Sequence, residues 1–118
     1  MKSHNISPVA KPRMTQRDKW AKRPCVVKYH VFKDEIRAAK IEIDLELDVV
    51  FYVKMPASWG KKKKEQMYDK PHMTKPDLDN FVKAILDAVL EEDCTVWKIT
   101  AEKRWAHEGR ILMRLEEP

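Results

Sequence analysis

The sequence has little cysteine and no long apolar run, and both shortages restrict what the protein can be. Its two cysteines, Cys25 and Cys94, lie far apart, whereas a small secreted domain needs a denser disulfide framework. We therefore expect reduced thiols. No apolar run approaches the roughly 20 residues of a membrane span, and the polar residues 1–5 do not begin a signal peptide. These absences predict a cytoplasmic protein that makes no contact with a membrane.

A zinc centre is also disfavoured. The chain has four histidines and two cysteines but no CxxC or HxxxH pair, and structural zinc sites are usually built from such pairs. No internal repeat is visible, and the longest low-complexity tract is the four-lysine run Lys61 to Lys64.

What is present is a small, heavily charged domain. A chain of 118 residues fits one domain, which we expect to span residues 1–118. Its 43% hydrophobic content supports a packed core, and its 36% charged content supports an ionised surface. The composition therefore argues against disorder.

Charge is distributed unevenly along the chain. The net charge is +5, and basic regions alternate with acidic ones: residues 54–75 are basic and residues 76–95 are acidic. A basic surface attracts polyanions, of which nucleic acid is the commonest. Carboxylates inside such a surface repel phosphate unless a cation lies between them. The pattern therefore predicts a metal-dependent enzyme that acts on nucleic acid.

The apolar spacing predicts an α+β fold with two main helices packed on a mixed β-sheet, in the order (β)αβ, loop, αββ. Residues 6–23, with two prolines and many cations, are typical of an extended arm or short strand. Residues 25–40 form the first helix. Residues 41–53 alternate apolar and polar, which predicts a long strand. Its four acids are interpreted as a solvated face rather than a second metal site, and they are Glu42, Asp44, Glu46 and Asp48.

The second half of the chain continues this pattern. Residues 54–75 are a long basic connection that could contain one short helix, and residues 80–90 form the second helix, with Asp79 or Asn80 as its N-cap. Residues 95–105 and 110–116 are predicted to be strands joined as a C-terminal hairpin through 107–109. The four tryptophans are interpreted as core or interface residues rather than base-stacking platforms.

The segment Thr74 to Asn80 holds the most informative motif. In extended backbone, residues two apart point to the same side, so Asp77 and Asp79 could hold one cation between them. Alternatively, Asp79 simply caps the helix and Asp77 is a surface acid. Lys83 lies one helical turn from Asp79, and it either forms an exposed salt bridge or stabilises charge that develops on a scissile phosphate.

Two further features of the second helix favour a bound cation. Asn80, Lys83 and Asp87 share the stripe opposite the apolar face, where they could support the two acids. Glu91, Glu92 and Asp93 follow at the end where the helix dipole disfavours negative charge. This unfavourable placement suggests a compensating cation.

The chain resembles the RusA endodeoxyribonucleases, which are Holliday junction resolvases found largely in phages and prophages. The resemblance covers nearly the whole chain, and its central motif runs from Lys75 to Ala84. Other matching segments are Pro12-Arg13-Met14-Thr15, Met55-Pro56, Ile85-Leu86-Asp87-Ala88, Glu92-Asp93 and Glu102-Lys103-Arg104-Trp105.

The resemblance implies catalytic carboxylates that bind Mg²⁺, with Mn²⁺ able to substitute, and no nucleotide cofactor. It assigns these carboxylates to Asp77, Asp79 and Asp93, and it makes Lys83 an essential lysine. The family often has an Asp-Asp pair where this chain has Glu92-Asp93, so Glu92 is a further candidate ligand. A homodimer that nicks two strands of a four-way junction symmetrically is also implied.

Basic residues outside this motif are expected to hold the DNA backbone through phosphate contacts, which position DNA without reading its sequence. These residues are Arg13, Lys61, Lys62, Lys63, Lys64, Lys70 and Lys75. The alternative for the lysine run is a solvated loop.

Two other functional classes remain as alternatives. A non-catalytic DNA-binding protein of phage origin would keep the basic surface, but the three acids and Lys83 argue against it. A different metal enzyme is the third possibility. Other nucleases pair an acid with a downstream acid-x-Lys motif, but in this chain no acid after Asp79 has a lysine two places on. A sugar-nucleotide transferase would need a larger nucleotide-binding fold.

Overall fold

The computed structural model describes residues 2–12, 24–40, 46–90 and 96–113. Its elements confirm the predicted α+β class, the mixed sheet and the short helix in the basic connection. In chain order they are β1 (Lys2–His4), α1 (Pro24–Ala38), β2 (Glu46–Lys54), α2 (Lys61–Met67), α3 (Leu78–Val89), β3 (Lys98–Ala106) and β4 (Arg110–Met113). None of the helices in these ranges has the length and apolar character needed to cross a bilayer.

The four strands form one sheet in the order β1-β4-β2-β3. Strand β2 pairs in parallel with β3 and antiparallel with β4, so the predicted C-terminal hairpin is wrong. Residues 107–109 instead carry the chain from one neighbour of β2 to the other. The physical reason is the apolar character of β2, whose Val49, Val50 and Phe51 are fully buried. Such a strand is best placed in the middle of the sheet, where both of its edges are paired.

The core lies between this sheet and the pair α1 and α3. Each helix buries the face that its apolar spacing predicts, and the alternating residues of β2 and β4 face the helices. Phe51 of β2 stacks on Phe81 of α3 with ring centroids 5.4 Å apart. This contact fixes the first turn of α3 above the sheet. The main members are Tyr29, Phe32, Ile36, Leu47, Val49, Phe51, Phe81, Ala84, Ile85, Ile111 and Met113.

Of the long strand predicted over 41–53, residues 46–53 are confirmed and 41–45 lie outside the described residues. Glu42 and Asp44 lie there too. Asp48 alternates with the core residues Leu47 and Val49 and is half-buried on the face away from the helices.

The N-terminal arm is described as far as residue 12. After β1 it continues without helix or strand, and Ile6, Val9 and Ala10 pack against the core. The prediction of an extended arm is confirmed for these residues. Arg13, a predicted DNA contact, lies outside the described residues.

Candidate active site

The first turn of α3 carries two of the predicted carboxylates, Asp77 at its N-cap and Asp79 within the turn. Helix α3 begins at Leu78, and its N-cap is Asp77, with φ −68° and ψ 146°. The Asn80 N–H donates to the Asp77 carbonyl at 3.1 Å. The prediction of Asp79 or Asn80 as the N-cap is therefore wrong. Aspartate is a preferred N-cap residue, and Leu78 packs against the core, which favours a helix that begins at Leu78.

This early start changes how the two acids are presented. Asp77 and Asp79 do not lie two apart on extended backbone, because Asp79 is already helical. Both lie where the unpaired N–H groups and the dipole of α3 favour negative charge. Both side chains are exposed, and the Asp77 carboxylate makes no capping hydrogen bond to the described helix. Its oxygen atoms are therefore not used by the helix end itself.

Lys83 lies one turn further along α3. Its Nζ is 3.7 Å from Oδ2 of Asp79, and the two side chains are 59% and 67% exposed. An ion pair this open to water contributes little to stability. The ammonium and the carboxylate thus face the same solvent region without being tied to the core.

The third predicted carboxylate is that of Asp93. Asp93 and its neighbour Glu92 lie outside the described residues, and within the ranges described above no three His, Cys, Asp or Glu side chains group closely enough to hold a metal ion. The donors that are described fit Mg²⁺ in kind, because exposed carboxylate oxygens are the ligands that this cation takes from proteins.

The segment before Asp77 is held along the edge of β3. We call residues 69–76 the strap. Its main chain pairs with β3 through the N–H of Asp69 to the Trp105 carbonyl at 2.9 Å and the N–H of His72 to the Lys103 carbonyl at 2.9 Å. The Arg104 guanidinium also donates to the Asp69 carbonyl at 2.6 Å. These contacts fix the first half of the strap.

Lys103 contacts the second half of the strap. Its Nζ donates to the carbonyl oxygens of Thr74, at 2.5 Å, and Pro76, at 2.7 Å. The Lys75–Pro76 peptide bond is cis. Lys103 was not predicted from the sequence as a site residue, although it lies in the segment Glu102 to Trp105, which resembles the family. The reason is that its partner Pro76 lies 27 positions away, and no local pattern identifies a contact at that distance.

His72 anchors the strap in an aromatic cluster. Its side chain is 3% exposed, and its ring centroid is 4.2 Å from that of Trp105, which in turn lies 4.8 Å from that of Trp59. Burial, and then the positive charge of Lys103, lower the pKa of His72 below its ordinary value. The neutral imidazole is therefore the form that the fold favours.

This pKa shift predicts a pH-dependent stability. Because the pKa of His72 is lower in the folded chain than in the unfolded chain, its contribution is fully present above the ordinary histidine pKa and is lost as the pH falls towards the folded value. We expect the free energy of unfolding, measured by urea titration from pH 8 to pH 5, to fall less in His72→Asn than in the wild type. His30→Asn, at an exposed position, is the matched control. Equal slopes for the wild type and His72→Asn would contradict the prediction.

Asp87, predicted as a supporting residue, lies one helical turn after Lys83 on α3. It is half-buried and accepts hydrogen bonds from the Tyr29 hydroxyl at 2.7 Å and from Lys11 Nζ at 2.6 Å. Burial raises the pKa of Asp87, but the hydrogen bonds from Lys11 and Tyr29 outweigh it, so the pKa lies below its ordinary value. Burial and the Asp87 hydrogen bond raise the pKa of Tyr29.

Lys11 also contacts Asn80, the other predicted supporting residue. The Lys11 N–H donates to the Asn80 carbonyl at 3.0 Å. The N-terminal arm is therefore joined to α3 at both Asn80 and Asp87. The two residues are connected to the site through the position of α3, and a catalytic supporting role stays a prediction.

The predicted DNA-binding lysines lie on α2 and the strap. The run Lys61 to Lys64 belongs to α2 rather than to a loop. Its first three lysines are exposed and Lys64 is half-buried. The Nζ of Lys63 lies 4.4 Å from the centre of the Trp59 ring, a cation–π contact. Lys70 and Lys75 are exposed on the strap, which leads directly into Asp77.

The tryptophans divide between core and surface. Trp105 is buried and Trp59 half-buried, whereas Trp97 is 69% exposed before β3; Trp20 lies outside the described residues. Near Trp97 in the chain, Ile99 and Ala101 of β3 face α3 across a groove of about 550 Å³. Asp79 and Lys83 line this groove together with Leu78 and Val82. The candidate site therefore opens beside an apolar surface.

Comparison with known proteins identifies the family of this chain. The family model described as Endodeoxyribonuclease RusA matches residues 5–116, a range that includes the strap, α3 and β3. No curated protein and no solved structure matched the chain. Because the family match spans nearly the whole sequence, the chain belongs to the RusA family of endodeoxyribonucleases.

Proposed function

We propose that the protein resolves four-way DNA junctions as a homodimer, making paired symmetric nicks in a Mg²⁺-dependent reaction. Family membership supplies the coarser statement, a DNA endonuclease of the Holliday junction resolvase type that acts on branched DNA. The observation that supports a Mg²⁺-dependent reaction is the pair Asp77 and Asp79 at the exposed N-terminus of α3. The Asp77 carboxylate is not used in capping, and Lys83 lies one turn away.

Each of these groups has a distinct role in phosphodiester hydrolysis. Asp77 and Asp79 would hold Mg²⁺ together with Asp93, or with Glu92 in its place or in addition; Mn²⁺ would substitute. A cation held there would supply an activated water molecule and would offset the charge that develops at phosphorus. The ammonium of Lys83, held near Asp79 but open to solvent, stabilises the negative charge that develops on the scissile phosphate.

The lysines of α2 and the strap supply the contacts to the DNA backbone. Lys61, Lys62, Lys70 and Lys75 are exposed, and the strap continues directly into Asp77. A duplex arm bound along these residues by its phosphates would therefore run towards the carboxylates. Such contacts do not read sequence, which suits an enzyme that selects DNA by its branched shape.

A homodimer follows from the symmetry of the substrate. A four-way junction presents two equivalent scissile phosphates, and a two-fold assembly with one site per subunit matches them most simply. The described part of one chain contains a single Asp77, Asp79 and Lys83 cluster. Sedimentation that finds a 14 kDa species still able to cut both strands would overturn the dimer.

The direct test is cleavage of synthetic four-way, forked and linear DNA of matched sequence, with Mg²⁺, with Mn²⁺ and with chelator. We expect paired nicks in the four-way junction, weak or no cleavage of linear duplex, and no activity in chelator. Equal cleavage of linear duplex, or undiminished activity in chelator, would contradict the proposal. Tight junction binding without any cleavage would favour the non-catalytic DNA-binding alternative.

The lysine run of α2 makes a separate prediction about salt. On duplex DNA the logarithm of the affinity falls as the logarithm of the salt concentration rises, and each phosphate contact makes this slope steeper by about 0.9. Replacing Lys61 to Lys64 by glutamine should therefore flatten the slope for junction binding, measured in chelator by fluorescence anisotropy. Lys28→Gln on α1, an exposed lysine, is the control for loss of a surface charge. An unchanged slope would mean that the run is only solvated.

A further inference from the structure

The second half of the strap is held differently from the first. Main-chain hydrogen bonds join β3 to Asp69, Lys70 and His72. Between His72 and Asp77, the described part of the chain shows no further main-chain bond to β3, and Met73 is 84% exposed. The contact that bridges this interval is Lys103 Nζ, which donates to the carbonyls of Thr74 and Pro76.

The Pro76 carbonyl is the important one for catalysis. The proline ring fixes φ of Pro76, and a hydrogen bond to its carbonyl restricts ψ. The peptide that joins Pro76 to Asp77 is planar, so holding that oxygen also sets the direction in which the Asp77 backbone begins. One ammonium thus removes the remaining backbone freedom immediately before the predicted metal ligand.

Lys103 is well suited to this role. It belongs to β3 and is paired in register with Phe51, a fully buried residue of the central strand, so its backbone is rigid. An ammonium has several donors on a compact head and can serve two carbonyls at once. Hydrogen bonds from a charged donor are roughly twice as strong as neutral ones.

We propose that Lys103 is a positioning residue that holds the Thr74 to Pro76 loop and thereby aims the Asp77 carboxylate at its metal ion. This inference rests on the proposed function, because it assumes that Asp77 binds a metal. It differs from a DNA-binding role, since its partners are carbonyl oxygens of the chain itself. Lys103 does not touch the reacting atoms and is not a catalytic residue.

The experiment compares Lys103→Met and Lys103→Arg with the wild type and with Lys98→Met, a control at an exposed lysine of the same strand. Three quantities are measured: Mn²⁺ affinity of the protein alone by electron paramagnetic resonance, kcat and KM for junction cleavage against Mg²⁺ concentration, and amide hydrogen exchange of residues 73–79.

We expect Lys103→Met to weaken Mn²⁺ binding and to lower kcat by about tenfold or more, as loss of a group supporting a metal ligand does. Excess Mg²⁺ should restore part of kcat, KM should change less than twofold, and exchange at 73–79 should accelerate. Lys103→Arg, which keeps the donor charge, should recover part of each loss. Lys98→Met should match the wild type.

Other outcomes would overturn the proposal. Unchanged Mn²⁺ affinity and exchange would show that Lys103 does not order the loop. A rise in KM with an unchanged Mg²⁺ requirement would make Lys103 a phosphate contact. If Lys103→Met fails to fold, Lys103→Arg tests the proposal by the same measurements. Because arginine changes the donor geometry, this variant should still need more Mg²⁺ than the wild type, and an unchanged Mg²⁺ requirement would contradict the proposal. If the wild type cleaves no DNA, the proposed function fails, whereas exchange at 73–79 still tests the hold of Lys103 on the loop.

Discussion

Asparagine in place of Asp77 or Asp79 is expected to lower junction cleavage by orders of magnitude while metal-free junction binding holds or tightens. Each substitution removes a charged ligand and also removes repulsion between the site and DNA phosphates. Each tenfold loss of rate corresponds to about 1.4 kcal/mol of transition-state stabilisation. Single-turnover cleavage with Mg²⁺, and anisotropy binding in chelator, measure the two effects separately.

The fold should tolerate both changes. Asparagine caps helices about as well as aspartate, and Asp77 makes no capping hydrogen bond that could be lost. Neutralising one charge near the first turn of α3 costs about 0.3–1 kcal/mol through the helix dipole. Asp34→Asn, at an exposed acid of α1, is the matched control and should keep full activity. Near-normal cleavage by Asp79→Asn would contradict a metal-binding role for Asp79 and would mean that its role is structural.

Lys83→Ala should abolish turnover in a protein that still folds and binds junctions. The ion pair between Lys83 and Asp79 is exposed and long, at 3.7 Å, so its loss should cost only about 0.5 kcal/mol of stability. A large effect on kcat with a small effect on the free energy of unfolding is therefore the diagnostic result. Both are measured on the same preparation, by junction cleavage and urea titration.

Lys28→Ala, an exposed lysine of α1, controls for the loss of a positive charge. If Lys83→Ala loses junction affinity but keeps kcat, Lys83 is a phosphate contact. If the variant keeps both, Lys83 only forms the exposed salt bridge that the sequence also allowed.

Local patterns were sufficient to predict the two main helices, although not the residue at which α3 begins. The spacing of Phe81, Ile85 and Leu86 identified the buried face of α3, and the spacing of Tyr29, Phe32 and Ile36 identified that of α1. Each pattern depends on neighbours within a few turns, and the structure confirms both. The start of α3 was missed because Asp77, Asp79 and Asn80 are all acceptable caps, and the burial of Leu78 decided between them.

Long-range contacts account for what the sequence did not predict. The short connection 107–109 suggests that β3 and β4 form a hairpin. In the sheet, however, β2 lies between these two strands, although it ends more than forty residues before β3 begins. The same limit applies to Lys103 and Arg104, whose partners on the strap lie 27 to 35 positions away. Asp93, Glu92 and Arg13 lie outside the described residues, so their roles stay predictions, as does the homodimer.

The strand order also determines when the sheet can assemble during synthesis. Strand β2 pairs with β3 and β4, and β1 pairs with β4 through positions such as Lys2 and Met113. Because ribosomes make chains from the N-terminus, no two strands of the described sheet can pair before residue 98 has been made. Until then Leu47, Val49 and Phe51 have no strand partner to cover their backbone. Such non-local pairing makes folding slow and leaves the nascent chain open to aggregation.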